Sequence, residues 1–266
     1  MIELYQFWDS PCCFKVRIVL AEKKIDWKSH LIASVQCDHF KPEYQALNPH
    51  SIVPTLIHGD HKILQSSVIA EYLDEAFPDN KLKPTNPVDR AVMRQWTHDE
   101  QAYLFPLIII MSFNLMMTLR EKAYGIEQLR EWSKQHPDQE RAQDHLERVS
   151  SLMDKQAIDN AAKKFAWHME RLEKQIEISG GPWICGKFYS LADISLAPIL
   201  DRIEYLDLLG VLDKAPKVAE WYQKIKDRQT FQQSTPDFEY RMWGPKKPVP
   251  EKQVGSDAPY GTFPSE

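Results

Sequence analysis

The sequence has 266 residues, enough for one large domain or two modest ones, of which 43% are hydrophobic and 27% charged. This composition is ordinary for a soluble cytoplasmic protein, and a net charge of −5 without a basic run argues against a nucleic-acid-binding surface. The four cysteines form no C-x-x-C pair and no metal-ligand spacing with histidines. This pattern argues against a disulfide framework and a metal site, and indicates a reducing compartment.

The first 80 residues alternate between strand-like and helical patterns. Pro11 suits the first turn of a helix, because its missing N–H would have no partner there, and Lys15 falls outside the apolar face of that helix. The predicted elements are, in chain order, a strand Ile2–Phe7, a helix Cys13–Lys24, a strand Leu31–Val35, a hairpin of Pro54–His58 and Lys62–Leu64, and a helix capped by Ser66 or Ser67. This order is typical of a thioredoxin-like α/β domain, which we predict for residues 1–80.

Strand signals end at the proline-marked connector 81–88, and residues 89–235 have a helical composition. The most apolar window, Leu104–Met117, is too short to span a bilayer and predicts a buried helix, so no membrane association is expected. Ser190 and Asp193 have the spacing of a helix capping box. Residues 236–266 are rich in Pro, Gly and Lys, lack periodicity, and are predicted to form an irregular tail behind an all-α domain.

A candidate catalytic segment, Ser10–Cys13, lies at the junction of the first strand and the first helix. Backbone N–H groups and the positive end of the helix dipole converge at such a junction and stabilise an anion such as a thiolate. A free thiol has a pKa near ~8.5, and lowering it by about two units corresponds to roughly 2.7 kcal/mol. A hydrogen bond from Ser10 or Cys12 together with the dipole could supply this. The alternative is that Ser10 is a simple helix cap and that Cys12 and Cys13 are buried small residues.

Two further segments offer polar groups to a ligand. A cis bond between Val53 and Pro54, just before a strand, would expose the backbone N–H and C=O of Val53 to an extended peptide. Gln65 and Ser66, at a helix start, offer an amide, a hydroxyl and N–H donors to a carboxylate. The alternatives are an ordinary trans turn and a plain helix cap.

Together, the stretches Ser10–Arg17, Asn48–Pro54 and Gln65–Leu73 resemble the three motifs of the glutathione transferase superfamily. The resemblance implies a thioredoxin-like domain followed by an all-α domain, glutathione as co-substrate, and a homodimer. It also implies residue roles: Val53 and Pro54 pair with the cysteinyl backbone of glutathione, Gln65 and Ser66 hold its γ-glutamyl end, and Lys41 belongs to the same site.

The resemblance leaves the reaction open. The segment Ser10–Arg17 resembles the zeta class, which isomerises maleylacetoacetate, and Cys12 matches the essential cysteine of reductive dehalogenases. The junction from Asn80–Pro84 through Trp96-Thr97 resembles that of bacterial β-etherases. The charged stretch Glu121–Lys174 resembles an insertion of the β-etherases, much of which the dehalogenases share. The leading hypothesis is displacement by a glutathione thiolate at an activated carbon of a hydrophobic aromatic substrate, such as a β-aryl ether, with Ser10 activating the sulfur and Cys12 assisting. The alternatives are a dehalogenase or isomerase that depends on Cys12, and a non-catalytic binding protein.

The acceptor pocket is expected between Ser10–Cys13 and the apolar helix Leu104–Met117. Aromatic and methionine side chains would form its wall, although residues of these types at helical spacing belong more often to the core than to a pocket. The candidates are Trp8, Phe105, Met111, Phe113 and Met116.

Overall fold

The computed structural model describes residues 1–32, 38–113, 125–150 and 154–235. The predicted tail 236–266 and the pocket candidate Met116 lie outside the described residues. Within the described ranges, no helix is both long and apolar enough to cross a bilayer.

The N-terminal part is built on a four-stranded mixed sheet. Its strands are β1 (Ile2–Gln6), β2 (Trp27–Leu31), β3 (Thr55–His58) and β4 (His61–Leu64), in the spatial order β2-β1-β3-β4. β1 runs parallel to β2 and antiparallel to β3, and β4 completes the hairpin with β3. Leu4 and Leu56 face each other on the two central strands and are fully buried, so the middle of the sheet belongs to the core.

Three helices accompany the sheet: α1 (Pro11–Glu22), the short α2 (Pro42–Gln45) and α3 (Ser66–Ala76). The parallel pairing of β1 and β2 requires a crossover connection, and α1 provides it. The thioredoxin-like α/β order predicted from the sequence is confirmed. The second strand was predicted at Leu31–Val35. The described strand β2 occupies Trp27–Leu31, where Trp27 lies opposite Ile2, and residues 33–35 of the prediction lie outside the described residues.

The rest of the described chain is helical, as predicted. Its helices are α4 (Pro87–Asp99), α5 (105–113), α6 (Ile126–Ser133), α7 (Gln139–Ser150), α8 (Lys155–Ser179), α9 (Leu191–Tyr205), α10 (Pro216–Lys226) and α11 (Gln229–Ser234). Between α4 and α5 the chain makes one wide π-helical turn, Glu100–Leu104, so that α4 and α5 form a continuous helix with a bulge. Such bulges often occur at functional sites because they turn a side chain away from the regular helical position.

Helix α9 is the central element of the helical part, and most of its residues are buried. Its predicted capping box is confirmed: the Ser190 amide donates to Asp193 Oδ2 at 2.9 Å, and the Ala192 amide donates to Ser190 Oγ at 3.3 Å. Burial raises the pKa of the Asp193 carboxyl, and several hydrogen bonds oppose this effect. One of them comes from Trp221 Nε1 at 2.8 Å, so the box also ties α9 to α10.

Buried charges join the two parts of the molecule next to the β1–α1 loop. Arg202, on α9, donates to Asp9 Oδ1 at 2.8 Å, and neither residue is more than 7% exposed. At the C-terminal end of α1, Arg228 donates to Glu22: Nε and Nη2 reach Oε1 at 3.0 and 2.8 Å, and Nη2 also reaches Oε2 at 2.9 Å. Removing one partner of the buried Asp9–Arg202 pair would leave an uncompensated charge, so this pair holds the β1–α1 loop against α9. The Glu22–Arg228 pair, in which Arg228 is partly exposed, instead joins the C-terminal end of α1 to the helical part.

Candidate active site

Ser10 begins helix α1 at the edge of a cavity. It is the N-cap residue: its Oγ accepts a hydrogen bond from the Cys13 amide at 3.3 Å, and Pro11 occupies the first helical position. The Ser10 amide donates to the Phe7 carbonyl at 3.1 Å, which closes the turn between β1 and α1. The hydroxyl therefore lies at the positive end of a 12-residue helix, where the dipole favours a negative charge.

The two adjacent cysteines point in different directions. Cys12 lines the cavity, and although its surface is partly exposed, protein surrounds its thiol and burial raises the pKa of that thiol to about 12. The nearby Lys15 charge opposes this shift only in part, so Cys12 is a neutral thiol at physiological pH. Cys13 is fully buried, its sulfur accepts from the Phe7 amide at 3.5 Å, and it does not line the cavity. The predicted catalytic role of Cys13 therefore lacks the access it requires.

The bond between Val53 and Pro54 is cis, as the sequence predicts. The loop before it is held from behind, because Asn48 Nδ2 and the Tyr44 hydroxyl both donate to the Ile52 carbonyl at 2.8 Å. Val53 and Pro54 line the cavity beside Ser10. The backbone of this loop is thus held in a defined position beside the cavity.

Gln65 and Ser66 form a third part of the wall. The sequence predicts a serine as the cap of α3, but Gln65 takes the N-cap position with a φ of +70°, and Ser66 is the first helical residue. A left-handed conformation at Gln65 ends β4 and turns the chain sharply into α3. The Ser66 hydroxyl consequently lies in the first turn, within reach of the cavity.

A buried ion pair that sequence reasoning missed supports this third segment. The Lys15 ammonium contacts a Glu100 carboxylate oxygen and donates to the hydroxyls of Ser66 at 3.3 Å and Ser67 at 3.2 Å. Lys15 and Glu100 are each only 1% exposed. Lys15 was expected to lie outside the apolar face of α1, but α1 packs against α3, α9 and α11, so its polar side is buried as well. Glu100 opens the π-helical turn and reaches the cavity wall from the helical part.

These segments converge on one cavity of about 490 Å³. The predicted residues that line it are Ser10, Cys12, Val53, Pro54, Gln65, Ser66, Phe105 and Phe113. The wall also contains residues that sequence reasoning did not find: His39, Phe40, Ser51, Ile52, Glu100, Gln101, Ser133, His136 and Ala142. One part of the cavity wall consists of polar groups and loop backbone, from Ser10, Val53, Gln65 and Ser66. Another part is aromatic, with Phe40, Phe105 and Phe113.

Three other predicted residues lie away from the cavity. Met111 is fully buried in the main core, where it fills space between helices. Trp8 packs its indole under the Arg17 guanidinium, 4.4 Å from the ring centroid, beside a separate surface depression. The Lys41 ammonium is largely exposed and contacts Asp38 Oδ1 at 2.7 Å. Lys41 is thus paired with a neighbour three residues away and does not line the cavity.

The segment containing α6 and α7 closes one side of the cavity. Gln45 Nε2 donates to the Gln135 carbonyl at 3.0 Å, and the rings of Phe40 and His136 meet edge to face with centroids 4.3 Å apart. These contacts bring Ser133, His136 and Ala142 into the wall. The stretch Glu121–Lys174 is rich in charged residues, a composition typical of solvated helix faces. Its contribution to the site depends on tertiary contacts, which sequence periodicity does not report.

Comparison with known proteins identifies the class. Residues 4–81 match the family model of the glutathione S-transferase N-terminal domain, and residues 139–233 match that of the C-terminal domain. The chain belongs to the glutathione S-transferase superfamily, and glutathione, predicted from the sequence, is the co-substrate of that family.

The individual relatives catalyse different reactions, so they do not identify the reaction of this chain. The chain is 25% identical to the tetrachloro-p-hydroquinone reductive dehalogenase of Sphingobium chlorophenolicum, over 87% of this chain and 94% of the relative. A maleylacetoacetate isomerase of Dictyostelium discoideum is 40% identical over 35% of this chain and 43% of its own length. The crystal structure of the β-etherase LigF from Sphingobium sp. strain SYK-6 superimposes with a TM-score of 0.79 at 23% identity, covering 88% of this chain and 98% of LigF. That last likeness shows the fold.

Proposed function

We propose that this protein is a glutathione-dependent transferase or lyase that acts on a hydrophobic aromatic electrophile. One observation carries the proposal: a single cavity joins Ser10 at a helix N-terminus, the cis-proline loop and the Gln65-Ser66 turn to an aromatic wall. The first three features suit an extended tripeptide with an ionised sulfur, and the aromatic wall suits a planar apolar acceptor.

In the proposed complex the cysteinyl backbone of glutathione pairs with Val53, as an added strand would. The γ-glutamyl carboxylate lies at the N-terminus of α3, near Gln65 and Ser66, where N–H groups and the Lys15 charge favour an anion. With these two ends fixed, the sulfur lies over the first turn of α1. Ser10 donates a hydrogen bond to the thiolate there and lowers its pKa.

The reaction forms a bond between the glutathione sulfur and an activated carbon of the acceptor. In a β-aryl ether ketone, the bond between that carbon and the ether oxygen breaks, and the electron pair leaves with the phenolate. Because a phenolate is a tolerable leaving group, holding the two reactants in line is the main task of the protein. Among the possible acceptors we favour β-aryl ether ketones, and among the possible reactions we favour cleavage of their ether bond.

The test is direct. Reduced glutathione is titrated calorimetrically into the protein, and the protein with glutathione is then incubated with a β-aryl ether ketone. We expect saturable binding at one site per chain and equimolar release of a phenol and a glutathione thioether, both measured by liquid chromatography. Absence of glutathione binding would refute the proposal and would favour a non-catalytic role.

Reductive dehalogenation remains the second candidate, because Cys12 faces the cavity and a dehalogenase is among the relatives. In that reaction the Cys12 thiolate would attack the sulfur of a glutathionyl-arene, forming a disulfide between Cys12 and glutathione. The bond between that sulfur and the ring breaks, and the ring carbon keeps the electron pair and takes a proton from water. Such an attack requires a thiolate, whereas burial raises the pKa of Cys12 to about 12. Because the Cys12 thiol is neutral, we favour displacement by the glutathione thiolate over reductive dehalogenation.

The substitution Cys12→Ser separates the two candidates. For displacement we expect kcat/KM with the ether substrate to change by less than about threefold, because the hydroxyl replaces a weak donor. With tetrachlorohydroquinone and glutathione, a dehalogenase would instead accumulate the glutathionyl conjugate. That accumulation, seen by mass spectrometry together with loss of reduced product, would establish the second candidate. Cys185→Ser, far from the cavity, is the matched control.

The assembly is part of the same proposal. We infer a two-fold homodimer, as is usual in this superfamily, and a cytoplasmic location consistent with the free thiols of Cys12, Cys13 and Cys185. Sedimentation equilibrium of the full chain measures the first directly.

A further inference from the structure

We infer that the beginning of the C-terminal tail, residues 236–243, docks into a second surface depression of its own chain and thereby holds the β1–α1 loop in place. This depression has a volume of about 520 Å³, and its lining residues differ from those of the cavity that contains Ser10. Its wall comes from the β1–α1 loop, α1, the turn into β2, the start of β2 and the end of α11. The apolar residues of this wall are Trp8, Leu20, Ile25 and Trp27.

The depression combines this apolar surface with charges of both signs. Lys24 and Asp26 belong to its lining and are exposed, and neither forms an ion pair with another residue in the described ranges. A chain segment that brings aromatic side chains together with acidic and basic ones would therefore complement the depression in both respects.

The tail begins at the wall of this depression. Helix α11 ends at Ser234, which lines the depression, and Thr235 has extended backbone angles of φ −70° and ψ 132°. Pro236 follows, and its missing N–H disfavours continuation of the helix. Because extended chain spans about 3.3 Å per residue, the residues directly after Thr235 can cross a depression of this size.

The first residues of the tail have the chemistry that the depression requires. Large apolar side chains alternate there with charged ones, in the order Asp237, Phe238, Glu239, Tyr240, Arg241, Met242 and Trp243. Burial of the aromatic rings is the favourable contribution that offsets the ordering of the segment. The acidic residues can pair with Lys24, and Arg241 can pair with Asp26. After Trp243 the next aromatic residue is Tyr260.

Arg17 connects this depression to the loop that carries Ser10. Arg17 Nε donates to the Ser234 carbonyl at 3.0 Å, where the tail begins, and its Nη2 donates to the Trp8 carbonyl at 2.9 Å. The guanidinium also lies 4.4 Å from the centroid of the Trp8 ring. A segment packed over Trp8 keeps this residue against Arg17. It thereby stabilises the turn in which the Ser10 amide donates to the Phe7 carbonyl.

Limited trypsin digestion of the full chain tests the docking. Arg241 lies within the docking segment, whereas Lys252 lies beyond it. With brief digestion followed by mass spectrometry, we expect cleavage after Arg241 to be at least about tenfold slower than cleavage after Lys252, because a docked site is cut only when it opens.

Two variants remove the docking from opposite sides. Phe238→Ser combined with Tyr240→Ser should make Arg241 as sensitive as Lys252. Tyr260→Ser combined with Phe263→Ser makes the same changes at the far end of the tail, is the matched control, and should retain the protection. Ala21→Glu places a charge in the depression at a partly exposed position of α1, where glutamate suits a helix, and it should also expose Arg241.

Hydrogen exchange measures the effect on the loop. In the Phe238→Ser, Tyr240→Ser variant we expect the Ser10 amide to exchange about tenfold faster, with no change in the far-end control. Neither measurement uses glutathione, so the outcome is independent of the proposed function.

Equal cleavage after Arg241 and Lys252 in the unsubstituted protein would overturn the inference, as would protection that survives Ala21→Glu. Protection that grows with protein concentration would also overturn it, because the segment would then bind a second copy of the chain. Exposure of Arg241 without faster exchange at Ser10 would overturn the claim that the docked segment holds the loop.

Discussion

Replacing Ser10 by alanine is expected to lower kcat/KM for thiol transfer by up to about 25-fold at pH 7, because the glutathione sulfur loses a hydrogen bond in its ionised form. A factor of about 25 is the upper limit, reached when the hydroxyl supplies the whole lowering of about two units, because a thiol with a pKa near ~8.5 is only a few per cent ionised at neutral pH. The share of the lowering that comes from the helix dipole survives the substitution. The Ser10 hydroxyl lies at the N-terminus of α1 and lines the cavity, where no other described hydroxyl begins that helix.

The sign of the pH dependence makes this expectation specific. We expect the unsubstituted protein to lower the pKa of the bound thiol. Its kcat/KM then exceeds that of Ser10→Ala by the full factor below the lowered pKa, and the two values become equal as the pH rises through the unperturbed pKa. The ratio of the two kcat/KM values should approach at most about 100 near pH 5.5 and fall toward one above about pH 9.5. Ultraviolet absorbance of the enzyme-bound thiolate, titrated against pH, reports the same pKa without turnover.

Loss of the helix cap is a separate effect that must be controlled. An N-cap serine contributes about 1 kcal/mol, so Ser10→Ala should also lower the melting temperature by a few degrees. Ser10→Thr retains both the cap and the hydroxyl, and it should preserve the low thiol pKa. A pH-independent ratio between Ser10→Ala and the unsubstituted protein would show that Ser10 has only a structural role.

The sequence predicted the parts of this site that depend on local structure. Three short-range patterns were recognised: Pro54 before a strand, Ser10 before a helix, and the pair Gln65-Ser66 at the start of a second helix. The fold places all three around one cavity. The capping box at Ser190 was found for the same reason: its hydrogen bonds join residues three apart.

The residues that were missed or misplaced depend on long-range packing. Lys15 reads as an exposed charge in an amphipathic helix, and it is buried only because Glu100, 85 residues away, meets it from another helix. His136 lies in a stretch whose composition suggests solvent, and Gln45, 90 residues before Gln135, fixes that stretch beside the first domain. Met111 has the character of a pocket residue, but whether its side chain faces ligand or core depends on which side of the helix the neighbours cover.

Replacing Lys15 by methionine should destabilise the protein by about 3–5 kcal/mol, because it leaves the Glu100 carboxylate buried without its cation. For a chain of this size the corresponding fall in melting temperature is about 10 °C. The ammonium is surrounded by three oxygen acceptors, from Glu100, Ser66 and Ser67, and methionine replaces none of these contacts. Denaturant unfolding measures the loss.

The double substitution Lys15→Met with Glu100→Leu distinguishes the buried pair from simple packing. Replacing both charges by apolar groups of similar size is often neutral, so most of the lost stability should return in the double variant. Equal melting temperatures for the single and double variants would contradict the assignment of the loss to an unpaired carboxylate.

Glutathione affinity should not return with the stability. In the proposed complex the γ-glutamyl carboxylate lies beside Ser66, where the Lys15 charge contributes to the attraction. We therefore expect the dissociation constant for glutathione to rise about tenfold or more in the double variant, which calorimetric titration measures on a protein as stable as the original. Unchanged affinity would mean that Lys15 serves only to neutralise Glu100. A weakened site in a restored fold would instead show that the chain keeps a costly buried charge at the junction of its two parts because the anionic end of the tripeptide binds next to it.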